Sequence, residues 1–511
     1  MVLAGSNEVL VRWQVYAREL SVRTAYATAD FAFWSGGNVL LWPVGGTDLP
    51  AEIVVGLPAA WSLAAGSAPV STSDDGREAR FSVRDQDQAV DTPCLAGRLE
   101  EFEVAVAGRS HRFVEVGRAG LAPPQSYRED LTAVLRASAA VFGGEPPFAR
   151  FTFLTLFGER GRGGLEHMDS AALVAPRTTF APRSSYEDYL ALVAHEYLHA
   201  WNVKRMRPRE FEGYDLECEN HTELLWVAEG FTAYLDDLLC LRAGVTTPAR
   251  YLARLASHVD AMLVNPGRFR QSLAEASFDA WLLLYRPDES TRNATQNYYT
   301  NGALAAFVID AAIREHSSGR HTLDDALRIL WRDTYAVGRG YDHRDVCSAI
   351  SAAAGTKLDD FVDGLTRGPF DPDLTSALGL FGLRLELVDD DTPRLGVRFD
   401  AQHTTIAAVQ DGTPAERGGL CPGDEILAID RLRVRPETFA SIWTACAGAG
   451  RAVRVLLARE GLLREHDVVP DHPTSGKARI TSVAEPNESQ CAHRRAWLGA
   501  MPLGNSTASD D

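Results

Sequence analysis

The sequence predicts a multidomain α+β protein with an N-terminal antiparallel β domain, a mainly helical middle domain and a C-terminal β domain. Its 511 residues exceed what one hydrophobic core holds, so about two to four domains are expected. Strand-like alternation gives way to helical spacing near Tyr127, and short strands return near Leu380. These changes place the domains at residues 1–120, 121–376 and 377–470, followed by a polar tail at 471–511 that we expect to be disordered.

The N-terminal domain is predicted from short runs of β-branched and aromatic residues that lie between turn residues. The runs that alternate like strands are 9–16, 38–44, 51–55, 102–106 and 112–116. Because these strands follow one another closely and are separated by turns, we expect them to pair in antiparallel sheets.

The middle domain is predicted from a change of hydrophobic period. Residues 127–142 have the spacing of an amphipathic helix, and 149–157 form a strand that ends in the glycine-rich segment 158–164. Residues 185 to about 370 are mostly helical, with a loop at 287–297. The short strands predicted for the C-terminal domain are 406–409, 425–429 and 452–457.

Composition indicates soluble partners. The net charge of −18 disfavours binding to nucleic acid or to an anionic membrane, and a solvated acidic surface explains it equally well. No apolar run reaches about 18 residues, so no transmembrane helix is expected, and the first residues do not predict a secretion signal. Seven dispersed cysteines without a CxxC pair predict free thiols in a reducing compartment, and hence a cytoplasmic location.

One short motif is the most informative about chemistry. His195 and His199 flank Glu196 in the sequence His-Glu-Tyr-Leu-His, which follows a run at 189–194 without Gly or Pro. Positions i and i+4 of a helix share a face, so both imidazoles can bind one ion while Glu196 reaches an attacking water. Zinc lowers the pKa of bound water to about 7 and polarises a carbonyl, and peptide hydrolysis at neutral pH needs both effects.

A third zinc ligand is predicted on a second apolar helical segment. Catalytic zinc sites have three protein ligands and one open position, and Glu229 is a suitable third ligand for one Zn²⁺ per chain. The alternative is an exposed acid near a helix start, where the helix dipole favours negative charge. The apolar neighbours Trp226, Val227 and Phe231 favour a buried ligand.

Several blocks of the sequence resemble one family of zinc peptidases. Gly-Leu-Glu-His at 164–167, followed by HExxH, resembles the motif pair of zinc aminopeptidases with the thermolysin-like (gluzincin) catalytic fold. HEYLHAWNVKR at 195–205 and LWVAEGFT at 225–232 are similar to blocks of the glycyl aminopeptidase family, and 16–23 and 91–93 resemble its N-terminal domain. The resemblance covers about residues 8–470 and implies a zinc aminopeptidase that acts on peptides with free N-termini, with a preference for Gly or Ala.

The resemblance also implies roles for residues outside the zinc motif. Glu166, with Gly164 in the same motif, would bind the free α-amine of the substrate, and the backbone at 150–157 would pair with the substrate as an edge strand. Tyr299 matches a phenol that stabilises the oxyanion, a contribution of about 3 kcal/mol for one donor. Two packing tyrosines are the alternative for this position, and Asn301 stands where the family has lysine. Glu223 is suggested for orienting an imidazole, or is a solvated helix residue.

The C-terminal domain resembles a bacterial PDZ domain, which also ends the glycyl aminopeptidase architecture. The similar block is 409–430, and Leu395, Gly396 and Val397 resemble the carboxylate-binding loop. The implied partner is the C-terminal end of a peptide, captured by strand addition. A domain that only packs against the rest of the protein is the alternative.

Two further functions stay open. One is a peptide-binding PDZ protein with an inactive hydrolase domain, for which Asn301 and a short N-terminal domain leave room. The other is an endopeptidase, against which Glu166 argues, because an amine anchor restricts substrates to free N-termini. Family members usually have more strands before the block at 16–20, so either the β domain is shortened or the natural start, with any signal segment, lies upstream.

Overall fold

The structure is a computed structural model, and it describes residues 9–159, 161–213, 215–388, 393–400, 403–448, 451–471 and 476–499. The described residues form two compact units. The first runs to Arg205 and includes Arg242–Val245, and the second contains Met206–Leu241 and the residues from Thr246 onward. None of the helices in these ranges is long and apolar enough to cross a membrane.

The first unit consists mainly of strands. Its strands are β1 (Tyr26–Ala27), β2 (Phe31–Ser35), β3 (Ala51–Gly56), β4 (Ser62–Ala65), β5 (Ser71–Thr72), β6 (Glu78–Val83), β7 (Pro93–Gly97), β8 (Glu100–Val106), β9 (Arg109–Val116), β10 (Arg150–Gly158), β11 (Gly163–Glu166) and β12 (Ser170–Pro176). Its helices are α1 (Gly36–Val39), α2 (Gln86–Val90), α3 (Tyr127–Val141) and α4 (Arg183–Leu198).

Strands β1 to β7 confirm the predicted N-terminal antiparallel β domain. One sheet has the order β1-β2-β7-β4 and a second has the order β3-β6-β5, and every pairing within them is antiparallel. Buried and exposed residues alternate along β6, which is the pattern of a strand with one face on the core. Phe33 and Leu95 belong to one hydrophobic cluster, and Phe81 belongs to another.

Two of the strands predicted for this region are wrong. Residues 9–16 pair with none of the described strands, and Leu10 and Tyr16 are 81% and 90% exposed. Residues 38–44 contain the end of α1 and then irregular backbone, in which Pro43 has no N–H to donate to a sheet. An alternating pattern alone therefore does not create a strand when no partner strand lies beside it.

A mixed five-stranded sheet follows, in the order β11-β12-β10-β9-β8. Strands β9, β10 and β12 are parallel to one another, whereas β8 and β11 pair antiparallel at the two edges. Because β10 lies between β12 and β9, the predicted edge position of residues 150–157 is wrong, and the edge strands are β11 and β8. The sheet also spans the boundary predicted at residue 120, since β9 precedes that boundary and β10 follows it.

Helix α4 is buried around most of its circumference. Its aromatic side chains Tyr186, Tyr189 and Tyr197 are each 2% exposed or less. The Tyr197 hydroxyl lies 2.7 Å from Nε2 of His111 on β9, so the helix is hydrogen-bonded to the sheet as well as packed on it. A helix that is apolar on all sides belongs to the protein interior, which makes α4 a rigid support for whatever its last turn carries.

The second unit is helical up to residue 379 and mainly β beyond it, as the sequence predicts. Its helices are α5 (Phe231–Arg242), α6 (Pro248–Leu263), α7 (Leu273–Phe278), α8 (Ala280–Leu283), α9 (Thr291–Ala294), α10 (Thr300–His316), α11 (Leu323–Asp333), α12 (His343–Ala354), α13 (Asp359–Thr366) and α14 (Leu374–Gly379), followed by α15 (Pro414–Arg417), α16 (Phe439–Cys446) and α17 (Glu488–Leu498). Its strands are β13 (Leu383–Val388), β14 (Val397–Phe399), β15 (Ile406–Val409), β16 (Glu425–Ile429), β17 (Leu432–Arg433), β18 (Val453–Arg459), β19 (Leu462–Val468) and β20 (Lys477–Ser482).

The prediction of a disordered tail is wrong for residues 477–498. Strand β20 pairs along its whole length with β13, and α17 is anchored by Trp497, which is 2% exposed. The Trp497 ring centroid lies 4.3 Å from that of Phe381 and 5.3 Å from that of Phe307, and its indole N–H donates to the Tyr234 hydroxyl at 3.1 Å. Within the predicted tail, residues 472–475 and 500–511 lie outside the described residues.

Candidate active site

The HExxH residues lie at the C-terminal end of α4. His195 and Glu196 are in its last turn, and His199 follows as the C-cap residue with helical backbone angles (φ −63°, ψ −17°). The imidazole centroids of His195 and His199 are 4.7 Å apart, and their planes are inclined at 85°. Glu196 and His199 are buried, at 4% and 1% exposure. The helix therefore brings both imidazoles side by side, as the i, i+4 spacing predicts.

The backbone fixes the tautomer of His199. Its Nδ1 lies 2.6 Å from the carbonyl oxygen of Asn202. A carbonyl only accepts hydrogen bonds, so Nδ1 carries a proton, and in the neutral ring Nε2 then has the lone pair that a metal ligand needs. No local sequence pattern predicts this contact. Glu223, the candidate for orienting an imidazole, forms an ion pair with Arg367 at 2.8 Å instead.

Glu166 lies beside the HExxH motif within the first unit. One carboxylate oxygen of Glu166, one of Glu196 and a ring nitrogen of His199 all lie within 4.8 Å of one another. Glu166 is the last residue of the edge strand β11, where it pairs with Ala171 of β12. Two carboxylates and an imidazole at this separation can bind a cation, either a metal ion or an ammonium group.

Gly164 lets the edge strand approach the HExxH glutamate. A methyl group at Gly164 would lie 2.2 Å from Oε1 and 2.3 Å from Cδ of Glu196, far inside van der Waals contact. At Gly163, one residue earlier, the corresponding methyl group would meet no atom within 4 Å. Of these two glycines, Gly164 is therefore the one that must lack a side chain, because the space is occupied by Glu196.

Asp91 ties together the segments that follow β11 and α4. Its carboxylate accepts hydrogen bonds from the backbone N–H of Met168 at 2.6 Å and from Nζ of Lys204 at 2.8 Å, and it lies 3.3 Å from Nδ1 of His167. Burial disfavours the charged carboxylate, but the Lys204 ammonium and the His167 ring outweigh it and hold the pKa of Asp91 well below its usual value. The sequence indicated only a resemblance at 91–93, and this structural role was missed.

In the second unit, Glu229 lies in a π-helical turn, Trp226–Gly230, that continues directly into α5. Such turns are rare and occur frequently at functional sites. Two glycines pack the turn directly against α10, because a methyl group on Gly230 would lie 2.6 Å from Cα of Gly302, and one on Gly302 would lie 2.9 Å from Cα of Gly230. The backbone that carries Glu229 is therefore in direct contact with the first turn of α10.

Tyr299 immediately precedes α10. Its ring stacks on Tyr298 with centroids 4.8 Å apart, and its hydroxyl oxygen lies 3.3 Å from that of Tyr285. Burial, and next the Glu229 carboxylate, raise the pKa of Tyr299 well above its ordinary value. The phenol therefore stays protonated at neutral pH and can donate a hydrogen bond, as the predicted oxyanion role requires.

Asn301, the departure from the family pattern, lies in a neutral hydrogen-bonded network. It is 2% exposed, and its Nδ2 donates to Oε1 of Gln296 at 2.8 Å. The backbone N–H of Gln296 in turn donates to Oε1 of Gln271 at 3.2 Å. The Nδ2 group of Asn301 is thus bonded to another neutral amide, and these hydrogen bonds involve no charged side chain.

The predicted carboxylate-binding loop leads into β14. The Leu395 side chain is 5% exposed and belongs to the core of the C-terminal β region, so it does not line a surface groove. The carbonyl groups of Leu395 and Gly396 accept hydrogen bonds from the backbone of Ala415 and Gln410, which fixes the loop up to Val397.

The same β region is hydrogen-bonded to the helical part of the second unit. The Asn293 side chain donates to the carbonyl of Val409 at 2.8 Å and accepts from the N–H of Asp411 at 3.0 Å. Within the region, the ring of Phe399 on β14 contacts that of Phe439 on α16, with centroids 4.5 Å apart. A peptide placed between β14 and α16 would have to separate these two rings.

Sequence comparisons confirm the family resemblance. Residues 188–305 match the model for M61 glycyl aminopeptidase, and residues 2–98 match the model for the peptidase M61 N-terminal domain. Residues 405–459 match the model for a PDZ domain. No curated protein matches the chain.

One solved structure shares the fold of this chain over most of its length. An aminopeptidase N family protein from Idiomarina loihiensis is 28% identical with a TM-score of 0.86, and the match covers 95% of this chain and 85% of that chain. The M1 zinc metallopeptidase from Deinococcus radiodurans is 16% identical with a TM-score of 0.47, and the match covers 71% and 75% of the two chains. The match to the Idiomarina protein therefore supports the predicted architecture over nearly the whole chain.

Proposed function

We propose that this peptidase, which matches the catalytic and N-terminal models of the M61 glycyl aminopeptidases, hydrolyses the first peptide bond of peptides with a free N-terminus and uses zinc. The observation that carries the proposal is the cluster in the first unit, where Glu166 lies within 4.8 Å of both Glu196 and His199. A carboxylate this close to the catalytic base neutralises the substrate's ammonium group and thereby selects free N-termini. Glu166 lies outside the segments matched by the family models, so its role rests on this geometry and on its motif.

His195, His199 and Glu229 would hold the zinc ion. Two imidazoles and one carboxylate form the ligand set of hydrolytic zinc sites that keep an open position. The tautomer of His199 leaves Nε2 free of a proton, and all three residues fall within the matched segment 188–305. When bound, zinc would acidify water and polarise the scissile carbonyl.

The remaining steps belong to side chains of the protein. Glu196 accepts a proton from the attacking water at a carboxylate oxygen and then delivers it to the leaving amine. Tyr299, which stays protonated, donates a hydrogen bond to the developing oxyanion. Glu166 binds the α-ammonium group, and the outer edge of β11, which ends at Glu166, offers backbone groups to an extended substrate.

Three finer points belong to the same proposal. The family resemblance supports a preference for N-terminal Gly or Ala, and the PDZ match supports the C-terminal end of a peptide as a second ligand. Each of the seven cysteines lies in the described residues and is a free thiol, which supports a reducing, cytoplasmic location.

The test measures hydrolysis of glycyl, alanyl and leucyl amides beside N-acetylated peptides by the zinc-loaded protein. We expect turnover of free N-termini alone, and a loss of about 10²- to 10⁴-fold in Glu196→Gln. Glu166→Gln should lower kcat/KM for the free substrates by at least tenfold. Glu103→Gln, an exposed carboxylate on the opposite edge strand β8, is the matched control and should leave the rates unchanged.

The alternatives predict other results from the same panel. A zinc-loaded protein with no zinc-dependent turnover would contradict both enzyme hypotheses and favour a peptide-binding PDZ protein. Turnover of acetylated peptides in preference to free ones would identify an endopeptidase and contradict the role proposed for Glu166.

A further inference from the structure

Three side chains with metal-binding atoms meet on the second unit, on helices that the proposed reaction does not use. His343 is the first residue of α12, Cys347 lies one turn later on the same face, and Asp363 lies on α13. Nε2 of His343 is 2.5 Å from Oδ1 of Asp363 and 3.4 Å from Sγ of Cys347. All three ligand atoms lie within 4.8 Å of one another.

The distances suit a tetrahedral metal ion. Bonds of about 2.0–2.3 Å to nitrogen, oxygen and sulfur place the ligands of such an ion about 3.5 Å apart. The sulfur–nitrogen distance already has about this value, the nitrogen–oxygen distance must increase by about 1 Å, and the sulfur–oxygen distance is at most 4.8 Å. The Asp363 side chain has room for this adjustment, because it is 50% exposed.

Burial gives the cluster an inner and an outer side. Cys347 is 3% exposed, whereas the side chains of His343 and Asp363 are 18% and 50% exposed, so an ion can enter from the Asp363 side. One thiolate and one carboxylate balance the charge of a divalent cation, and Cys347 would release its proton to solvent on binding. Arg367 is the nearest competing cation, but its guanidinium is 3.9 Å from Asp363 and is held by Glu223 at 2.8 Å.

We propose that His343, Cys347 and Asp363 form a second zinc site, which joins α12 to α13. Sulfur, imidazole and carboxylate together favour zinc over magnesium or calcium, which prefer oxygen ligands alone. Solvent supplies the fourth ligand at the exposed side. This site is independent of the proposed function, since it shares no residue with HExxH, Glu229 or Tyr299.

Cobalt(II) distinguishes this site from the catalytic one. The protein is stripped of metal with a chelator, titrated with Co²⁺ and followed by absorption in the near ultraviolet, where a sulfur-to-cobalt charge-transfer band appears only when a thiolate is a ligand. The proposed catalytic ligands include no cysteine, so cobalt bound there gives no such band. We expect the band in the full chain, its loss in Cys347→Ser, and at least tenfold weaker binding in Asp363→Asn.

The exposed cysteines provide the control. Cys218 and Cys421 are exposed and could also bind cobalt from solution. If Cys347 is the ligand, Cys218→Ser and Cys421→Ser should retain the band. Asp363→Asn changes an exposed side chain and keeps the test valid if Cys347→Ser does not fold. Absence of the band at saturating cobalt, its persistence in Cys347→Ser, or unchanged affinity in Asp363→Asn would show that the three residues form a hydrogen-bonded contact only.

Discussion

Gly164→Ala should impair catalysis by displacing Glu196. The added methyl group would lie 2.2 Å from Oε1, so the carboxylate has to retreat by about 1.2 Å to reach the ordinary contact distance of 3.4 Å. A misplacement of about 1 Å at a reacting group costs on the order of 100-fold in rate, or about 2.7 kcal/mol in activation free energy. We expect this loss in kcat for an alanyl p-nitroanilide, with little change in KM, because Glu166 and the edge of β11 remain in place.

Two comparisons isolate the cause. Gly163→Ala adds the same methyl group to open space on the same strand, and it should retain full activity. In unfolding experiments, Gly164→Ala should cost about 1–3 kcal/mol from overpacking, and the cost should disappear in a Glu196→Ala background, where the clashing carboxylate is gone. Full kcat in Gly164→Ala, or an equal loss in Gly163→Ala, would refute the assigned contact.

Other variants test the supports of the site. Asp91→Asn should lower the free energy of unfolding by about 3 kcal/mol at pH 7. Because the pKa of Asp91 is lowered by folding, its contribution is present above the unfolded-state value of about 3.9 and is lost as pH falls below it, so denaturation at pH 3 should show a smaller deficit. Gly302→Ala should cost about 2 kcal/mol and reduce activity, whereas Gly364→Ala, in open space on α13, should stabilise by about 1 kcal/mol in urea unfolding. Trp497→Ala should cost about 4 kcal/mol in thermal unfolding, and no change would show that α17 does not belong to the folded unit.

The sequence predicted the parts of the site whose spacing is local. His195 and His199 are one helical turn apart, so their shared face follows from helix geometry alone. The contact between Gly164 and Glu196 joins positions 32 residues apart through the register of β11 on the mixed sheet, and no local pattern contains that register. The same reason explains why the prediction of an edge at residues 150–157 is wrong, since strand order depends on partners far away in the chain.

Average composition predicted the tail wrongly, because a few buried residues contribute more to its folding than the many polar ones. Residues 477–498 are polar on average, and in α17 the buried residues are Trp497 and Leu498. The segment is nevertheless folded. The pairing of β20 with β13 and the packing of the Trp497 indole against Phe307 and Phe381 order the segment, because fully burying one large aromatic side chain contributes several kcal/mol. Conversely, the apolar run at 9–16 lacks a described partner strand and remains exposed.

The surroundings of Asn301 show whether the replacement of the family's lysine argues for an inactive enzyme. A lysine at 2% exposure would need a counter-charge, and the network around position 301 consists of the neutral amides of Gln296 and Gln271. The neutral surroundings of position 301 therefore fit an asparagine, so the replacement of lysine does not leave an unpaired buried charge. Tyr299, two residues earlier, keeps a protonated phenol whose pKa responds to Glu229, so the groups assigned to zinc and to the oxyanion remain electrostatically coupled. The departure at 301 consequently gives no support to an inactive hydrolase domain, and the aminopeptidase hypothesis retains its full set of chemical groups.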